Sequence, residues 1–217
     1  MAQTNSKIPK LDLRRQYKEL YLPSVKEVVL VDVPELLFIA LEGVVKAGAR
    51  PGESESFLEA MAALYAVGYR LKFMSKLRNE NPIDFTVMPV EGLWSTESGT
   101  RFDFSWREPS NYTLLLMQPD HITSEMFEQA VADSRSRRPN PALNHIRLEL
   151  WHEGPSVQIM HIGPYADEPA TLEKIDAFVE EHGYELHGRH HEIYLGDPTR
   201  SKPEKLKTVL RHAITIQ

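Results

Sequence analysis

The chain has 217 residues, is 41% hydrophobic and 26% charged, and carries a formal net charge of −6. That composition supports a sizeable packed core and argues against a disordered, fibrous or generally nucleic-acid-binding chain. There is no cysteine, so disulfides, thiolate metal sites and a cysteine nucleophile are excluded.

The first seven residues, Met1 to Lys7, lack an apolar h-region, and no run approaches the roughly 18 apolar residues of a membrane span. A cytoplasmic protein with no membrane partner is expected. Residues 1–10 read as a polar tail, and Asp12 caps a short helix that ends near Tyr21, before Pro23. From Glu27 to Val45 the residues are β-branched and apolar but interrupted by Pro34. This is a strand or strand pair, best defined over Leu36–Glu42. After the Ala49–Glu53 loop, Ser56 and Glu59 have the spacing of a capping box. The helix that follows carries Phe57, Met61, Leu64, Tyr65 and Leu71 on one face and runs to about Ser75. Phe85, Val87 and Met88 form a strand ending at Glu91-Gly92, and residues 95–110 form a polar loop.

Asn111–Gln118 is apolar on both faces, which marks a central buried strand. Thr123 caps a helix to about Ser136, where Arg135, Arg137 and Arg138 complement the helix dipole rather than mark a nucleic-acid surface. Ile146, Leu148 and Leu150 alternate with polar residues, Glu153-Gly154-Pro155 reads as a turn, and Val157–Ile162 returns, which predicts a hairpin. Pro169 opens a helix striped with Leu172, Ile175, Phe178 and Val179, and Gly183 closes it. Strands follow at Tyr184–Leu195 and Leu206–Ile216.

The order strand, helix, strand, strand therefore occurs twice, over about 36–118 and 156–216. An α+β fold of duplicated βαββ units with pseudo-two-fold symmetry is expected, forming a single domain over 8–217 with a ligand cleft between its two lobes.

Alternation along Tyr184–Leu195 places His190, Glu192 and Tyr194 on one face and Ile193 and Leu195 on the other. A carboxylate between a histidine and a tyrosine suits a polar cleft, where partial burial makes it an acid, a base or a partner for a cation. A solvent-facing polar strand would show the same pattern. Trp94, Tyr112, Tyr165 and Tyr194 are candidates for an aromatic wall, with ordinary core packing as the alternative. His161, His187, His190 and His191 match no closed zinc motif, and His190 and His191 point to opposite faces. His161 and His190 are read as hydrogen-bonding or stacking groups, with no metal. GxGxxG, Walker, GxSxG and HExxH signatures are absent, and no cofactor is expected.

Several stretches resemble the GyrI-like small-molecule-binding family: Tyr21–Pro23, Phe57–Phe73, Val87–Trp94, Met117–Thr123, Gln158–Thr171 and Gly188–Lys207. The resemblance is to its stand-alone branch, similar to hydrolases of cyclopropanoid DNA alkylators. It implies an aromatic cleft for a hydrophobic or amphiphilic organic ligand, with Glu192 of HHEIYL as the acid at its base. It also implies Trp94, Tyr165 and Tyr194 as wall residues and Glu168 as a second carboxylate. In the catalytic version Glu192 is the base and Tyr165 or Tyr194 the proton donor. In the alternative the cleft sequesters or senses lipophilic, cationic drugs. Ser95 and Tyr112 stand where relatives often carry tryptophan, which makes the wall smaller or more polar. A role in binding a protein such as a topoisomerase is a third reading that no segment supports.

Overall fold

The fold is that of a computed structural model, which describes residues 8–96, 102 and 104–215. Most of the expected N-terminal tail, the middle of the 95–110 loop and Ile216 lie outside the described residues. In chain order the elements are β1 (Lys10–Leu11), α1 (Leu13–Gln16), α2 (Lys18–Tyr21), β2 (Val29–Val45), α3 (Glu55–Leu77), β3 (Asp84–Phe85), β4 (Glu91–Thr96), β5 (Ser110–Gln118), α4 (Ser124–Arg137), β6 (Arg147–Ile162), α5 (Glu168–His182), β7 (Glu185–Tyr194) and β8 (Lys207–Thr215).

The expected caps at Asp12 and Thr123 are present; their side chains accept from the backbone N–H of Arg15 and Met126. Gly183 adopts φ +68 at the end of α5, the left-handed conformation that ends a helix at little cost in glycine. For α3 the cap is Ser54, which accepts from Phe57 N, and not the Ser56/Glu59 pair. The Pro51–Glu53 turn delivers the chain to the helix two residues earlier than the capping-box spacing implied.

Six strands close into a barrel in the order β2-β5-β4-β7-β8-β6, while β1 and β3 form a separate parallel pair. The first βαββ unit is β2-α3-β4-β5 and the second is β6-α5-β7-β8. Corresponding strands of the two units pair with each other, β2 with β6 and β4 with β7, both antiparallel, as a two-fold relation requires. The units thus share one sheet. α3 packs on β2 and β5, α5 packs on β6 and β7, and α4 packs on α3. Beneath α3 lies a core that includes Leu64, Val67, Leu71, Ile39, Leu114 and Leu116. A smaller cluster of Val157, Ile159, Ile175, Val179, Leu210 and Ile214 lies beneath α5.

One turn and one strand end read from the sequence are not found. Residues 147–162 are one strand, because Val33 and Asp32 of β2 pair across Gly154 and Pro155 and hold the chain extended. Gly154 takes φ +75 within it. Glu91-Gly92 opens β4 instead of closing a strand, with Leu115 and Leu114 as partners. Pro34 does not break β2, since pairing to β5 begins only at Leu37 and no ladder bond is lost on that side. Among the described residues no helix is long and apolar enough to cross a membrane.

Candidate functional site

Strand alternation and the flanking ladders bring together the residues singled out on β7. Glu192 faces Gly92 across β4 and Leu210 across β8, and only 6% of its surface is exposed. His190, fully buried, places Nε2 3.0 Å from Glu192 Oε1 and Nδ1 3.1 Å from His212 Nε2. Trp94 Nε1 donates to Tyr194 Oη at 2.7 Å, so the tyrosine keeps its own hydrogen for another acceptor. Gly92 is required here: a Cβ at that position would stand 2.7 Å from both Trp94 Nε1 and Tyr194 Oη.

An aromatic cluster packs beside this strand face, centred on Trp94. Trp94 stacks with Phe57 of α3 at 5.7 Å and lies 5.8 Å from Tyr112, whose hydroxyl donates to Ser56 O at 3.3 Å. Phe102 lies 5.4 Å from Trp94 and stacks parallel to His190 at 5.9 Å. Trp106 meets Trp94 edge-on at 5.7 Å with a left-handed φ of 57, a strained backbone for a bulky side chain. Tyr165, half-buried in the turn before α5, meets Tyr194 edge-on at 6.0 Å.

The second carboxylate, Glu168, begins α5 and is fully buried. Neither of its oxygens, nor Thr208 Oγ1, has a hydrogen-bond partner among the described residues. Burial first, and the Glu192 carboxylate second, push its pKa up to about 10. Thr208 stands near enough to oppose this weakly, without reaching hydrogen-bond geometry. Burial followed by Glu192 also raises the Tyr165 and Tyr194 phenols above their ordinary range. At neutral pH the site therefore holds protonated phenols and a protonated Glu168 around Glu192.

Seven of the eight predicted site residues fall in this region. His161 does not: its ring nitrogens are taken by Thr171 Oγ1 at 2.9 Å and Pro164 O at 3.3 Å, so it pins the turn before α5. Phe57, Tyr65, Phe102, Trp106 and His212 belong to the site or its border and were not singled out. Phe57 and Tyr65 followed helix periodicity and read as core, while His212 sits in a strand with no local motif. No group of three or more His, Asp or Glu side chains among the described residues is arranged to hold a metal ion.

The opposite face of the same sheet is also polar, which alternation alone read as core. His191 lies 3.0 Å from Glu91 Oε2 and 3.0 Å from Glu153. Tyr21 donates to Glu91 at 2.5 Å. Arg211 donates to Glu153, Gln158 and the Leu20 carbonyl at 3.2, 2.9 and 2.7 Å. Burial favours neutral Glu153, but His191 and Arg211 overcome it and hold its pKa down to about 2. Burial likewise opposes charge on His191, yet Glu153 and then Glu91 raise its pKa.

The fold is that of a two-unit α+β protein, with a candidate aromatic, acidic site on the face of β7 that carries His190, Glu192 and Tyr194. The chain belongs to the GyrI-like small molecule binding domain family, whose pattern matches residues 26–213. It is similar to an uncharacterized conserved protein from Listeria innocua at 34% identity and a TM-score of 0.84, over 94% of this chain and 100% of the other. It is also similar to a hydrolase from Listeria innocua at 32% identity and a TM-score of 0.81, with the same coverage. The EcmrR C-terminal domain shares the fold at 11% identity and a TM-score of 0.51, over 87% of this chain and 97% of that one. No curated protein sequence matches significantly.

Proposed function

We propose that the protein is a hydrolase that opens the strained ring of cyclopropanoid DNA-alkylating compounds. The observation that carries the proposal is the state of the site: a buried Glu192 held by His190 at 3.0 Å, ringed by hydroxyl and carboxyl groups that keep their protons. The similar Listeria innocua proteins described as hydrolases support the same reading. A flat conjugated ligand is desolvated against the half-buried rings of Tyr165 and Tyr194. Glu192 takes a proton from water as the water oxygen attacks the ring methylene. The methylene carbon–carbon bond breaks, its electron pair passes into the conjugated carbonyl, and that oxygen takes a proton from Tyr165 or Tyr194. Return of the Glu192 proton to the tyrosinate completes the addition of one water. Turnover of a cyclopropane-bearing alkylator, followed by absorbance and mass spectrometry, gives a water-added product with the wild type and little with Glu192→Gln. Wild-type turnover in that variant removes the assignment.

One observation favours a second reading. The Glu192 carboxylate, on the strand that pairs with the one carrying Trp94, suits a lipophilic cation, held by charge and cation–π attraction. Tight binding of cationic dyes with no product from any cyclopropanoid makes this a sequestering or sensing protein.

A further inference from the structure

The two long helices differ in length: α3 has 23 residues and α5 has 15. The face of α3 toward the barrel buries Leu64, Val67 and Leu71. On one flank α4 packs against it, where Arg70 Nε lies 3.0 Å from Asp133 Oδ2. The outward face remains apolar. Leu58, Tyr69, Phe73 and Leu77 are 52%, 50%, 48% and 72% exposed, and the exposed Ala62 and Ala66 complete the stripe between them. Among the described residues, four of the ten exposed large apolar side chains therefore share one helix face, which makes a patch rather than scatter. Successive members of the stripe are three or four residues apart, the spacing that a second helix covers.

The stripe is complementary to itself when reversed. About the midpoint between Val67 and Gly68, Leu58 mirrors Leu77, Ala62 mirrors Phe73 and Ala66 mirrors Tyr69. In an antiparallel pair the rings of the C-terminal half thus meet the alanines of the N-terminal half. Charge follows the same reversal. Leu58 and Ala62 line a groove of about 420 Å³ that also takes in Glu53, Glu55, Glu59 and Arg138, three acids against one base. The other end of the helix carries Lys72, Lys76 and Arg78 against Glu80 and Asp84, three bases against two acids. Asp84 pairs with both lysines, at 2.7 and 2.9 Å, so that end keeps a positive balance. A two-fold axis sets the acidic groove of each copy beside the basic end of the other.

We propose that the outward face of α3 is the interface of a two-fold dimer, in which it pairs antiparallel with α3 of a second copy of this chain. Such an interface is isologous and closes at two copies. The helix is about 34 Å long, and one helix with its flanking groove makes an interface at the small end of specific ones. Association is therefore reversible and concentration-dependent. The pairing does not depend on the hydrolase reading. It adjoins the candidate site through Tyr69, whose ring lies 6.4 Å from that of Tyr65.

Two experiments test the dimer. In the first, sedimentation equilibrium of the full chain is expected to give twice the monomer mass at about 100 μM, with dissociation on dilution. Phe73→Glu sets a charge against the alanines of the other copy and is expected to weaken association at least about 30-fold. Ala62→Glu does the same from the other half of the helix and serves if the first variant does not fold. Both positions are exposed in the single chain, so the urea midpoint at low concentration should hardly move. A wild type that stays monomeric at about 100 μM, or a dimer indifferent to both substitutions, overturns the proposal. The second experiment tests the register, using the absence of cysteine from the chain. A chain carrying both Leu58→Cys and Leu77→Cys is expected to be joined into a covalent dimer by a short bismaleimide. The two positions are 19 residues apart, about 28 Å along one helix, so the reagent does not bridge them within a chain. Leu58→Cys alone and Leu77→Cys alone are expected to stay unlinked, because in the antiparallel pair each faces the other position. Efficient cross-linking of Leu77→Cys alone, or none in the double variant, overturns the antiparallel pairing.

Discussion

His190 and His191 are adjacent in sequence and both fully buried, yet they serve opposite faces of one strand under different rules. On the His191 face every charge has its counterpart: Glu91 and Glu153 are met by His191 and Arg211, and Tyr21 and Gln158 fill further positions. On the His190 face Glu168 is buried with both oxygens unpaired and keeps its proton. A fully satisfied buried network specifies and rigidifies structure. Buried groups left with open valences and displaced pKa values make this face the candidate site. The first face also ties α2 to the barrel through the Glu19 and Leu20 carbonyls, which accept from Gln158 and Arg211.

The comparison is sharpest under mutation. Arg211→Met strands Glu153 and the Leu20 carbonyl, and is expected to destabilise the fold by about 3–5 kcal/mol in urea denaturation. Pairing it with Glu153→Gln recovers part of that loss, because the uncompensated charge goes too. Glu192→Gln is the reverse case: turnover falls at least about 100-fold, equivalent to about 2.7 kcal/mol, while the urea midpoint moves little. Equal stability losses for the two variants would erase the distinction between the faces. Gly92→Ala drives a methyl group against Trp94 and Tyr194, and is expected to cost about 1–3 kcal/mol and to disturb ligand binding together with stability.

The smallest effect is on pH, at most about 1.4 kcal/mol per pH unit for one proton. Glu153 has a folded value of about 2 against 4.5 unfolded, so its contribution is present above pH 4.5 and lost as pH falls toward 2. Glu168 has a folded value of about 10 against 4.5, so its contribution is present below pH 4.5 and lost as pH rises toward 10. His191 is raised from 6.5, so its contribution is complete below pH 6.5 and lost above it. Stability therefore begins to decline above about pH 4.5 in the wild type. In Glu168→Gln the decline begins near pH 6.5, which thermal unfolding across a pH series will show. A variant curve that follows the wild type places the buried proton elsewhere.

Much of this was legible in the chain. Helix caps at Asp12 and Thr123, the Gly183 stop, the buried strand read over Asn111–Gln118 and the repeated βαββ order follow from local rules that act within a few residues. Alternation also placed His190, Glu192 and Tyr194 together and sent His191 the other way. It failed at Gly154-Pro155 and at Glu91-Gly92, where turn-forming residues stay extended because long ladders on neighbouring strands hold them.

What only the tertiary structure decided is which charges meet. Glu91, Glu153, His191 and Arg211 are separated by up to 120 positions and carry no common spacing; closing the barrel brings them into one network. The same closure sets Glu168 of α5 beside Glu192 of β7 and His212 of β8 behind His190. Secondary structure is written in short-range sterics and periodicity, which a sequence displays. Burial and electrostatic partnership arise between distant segments, and only their packing determines whether a carboxylate is satisfied, as at Glu153, or left holding its proton, as at Glu168.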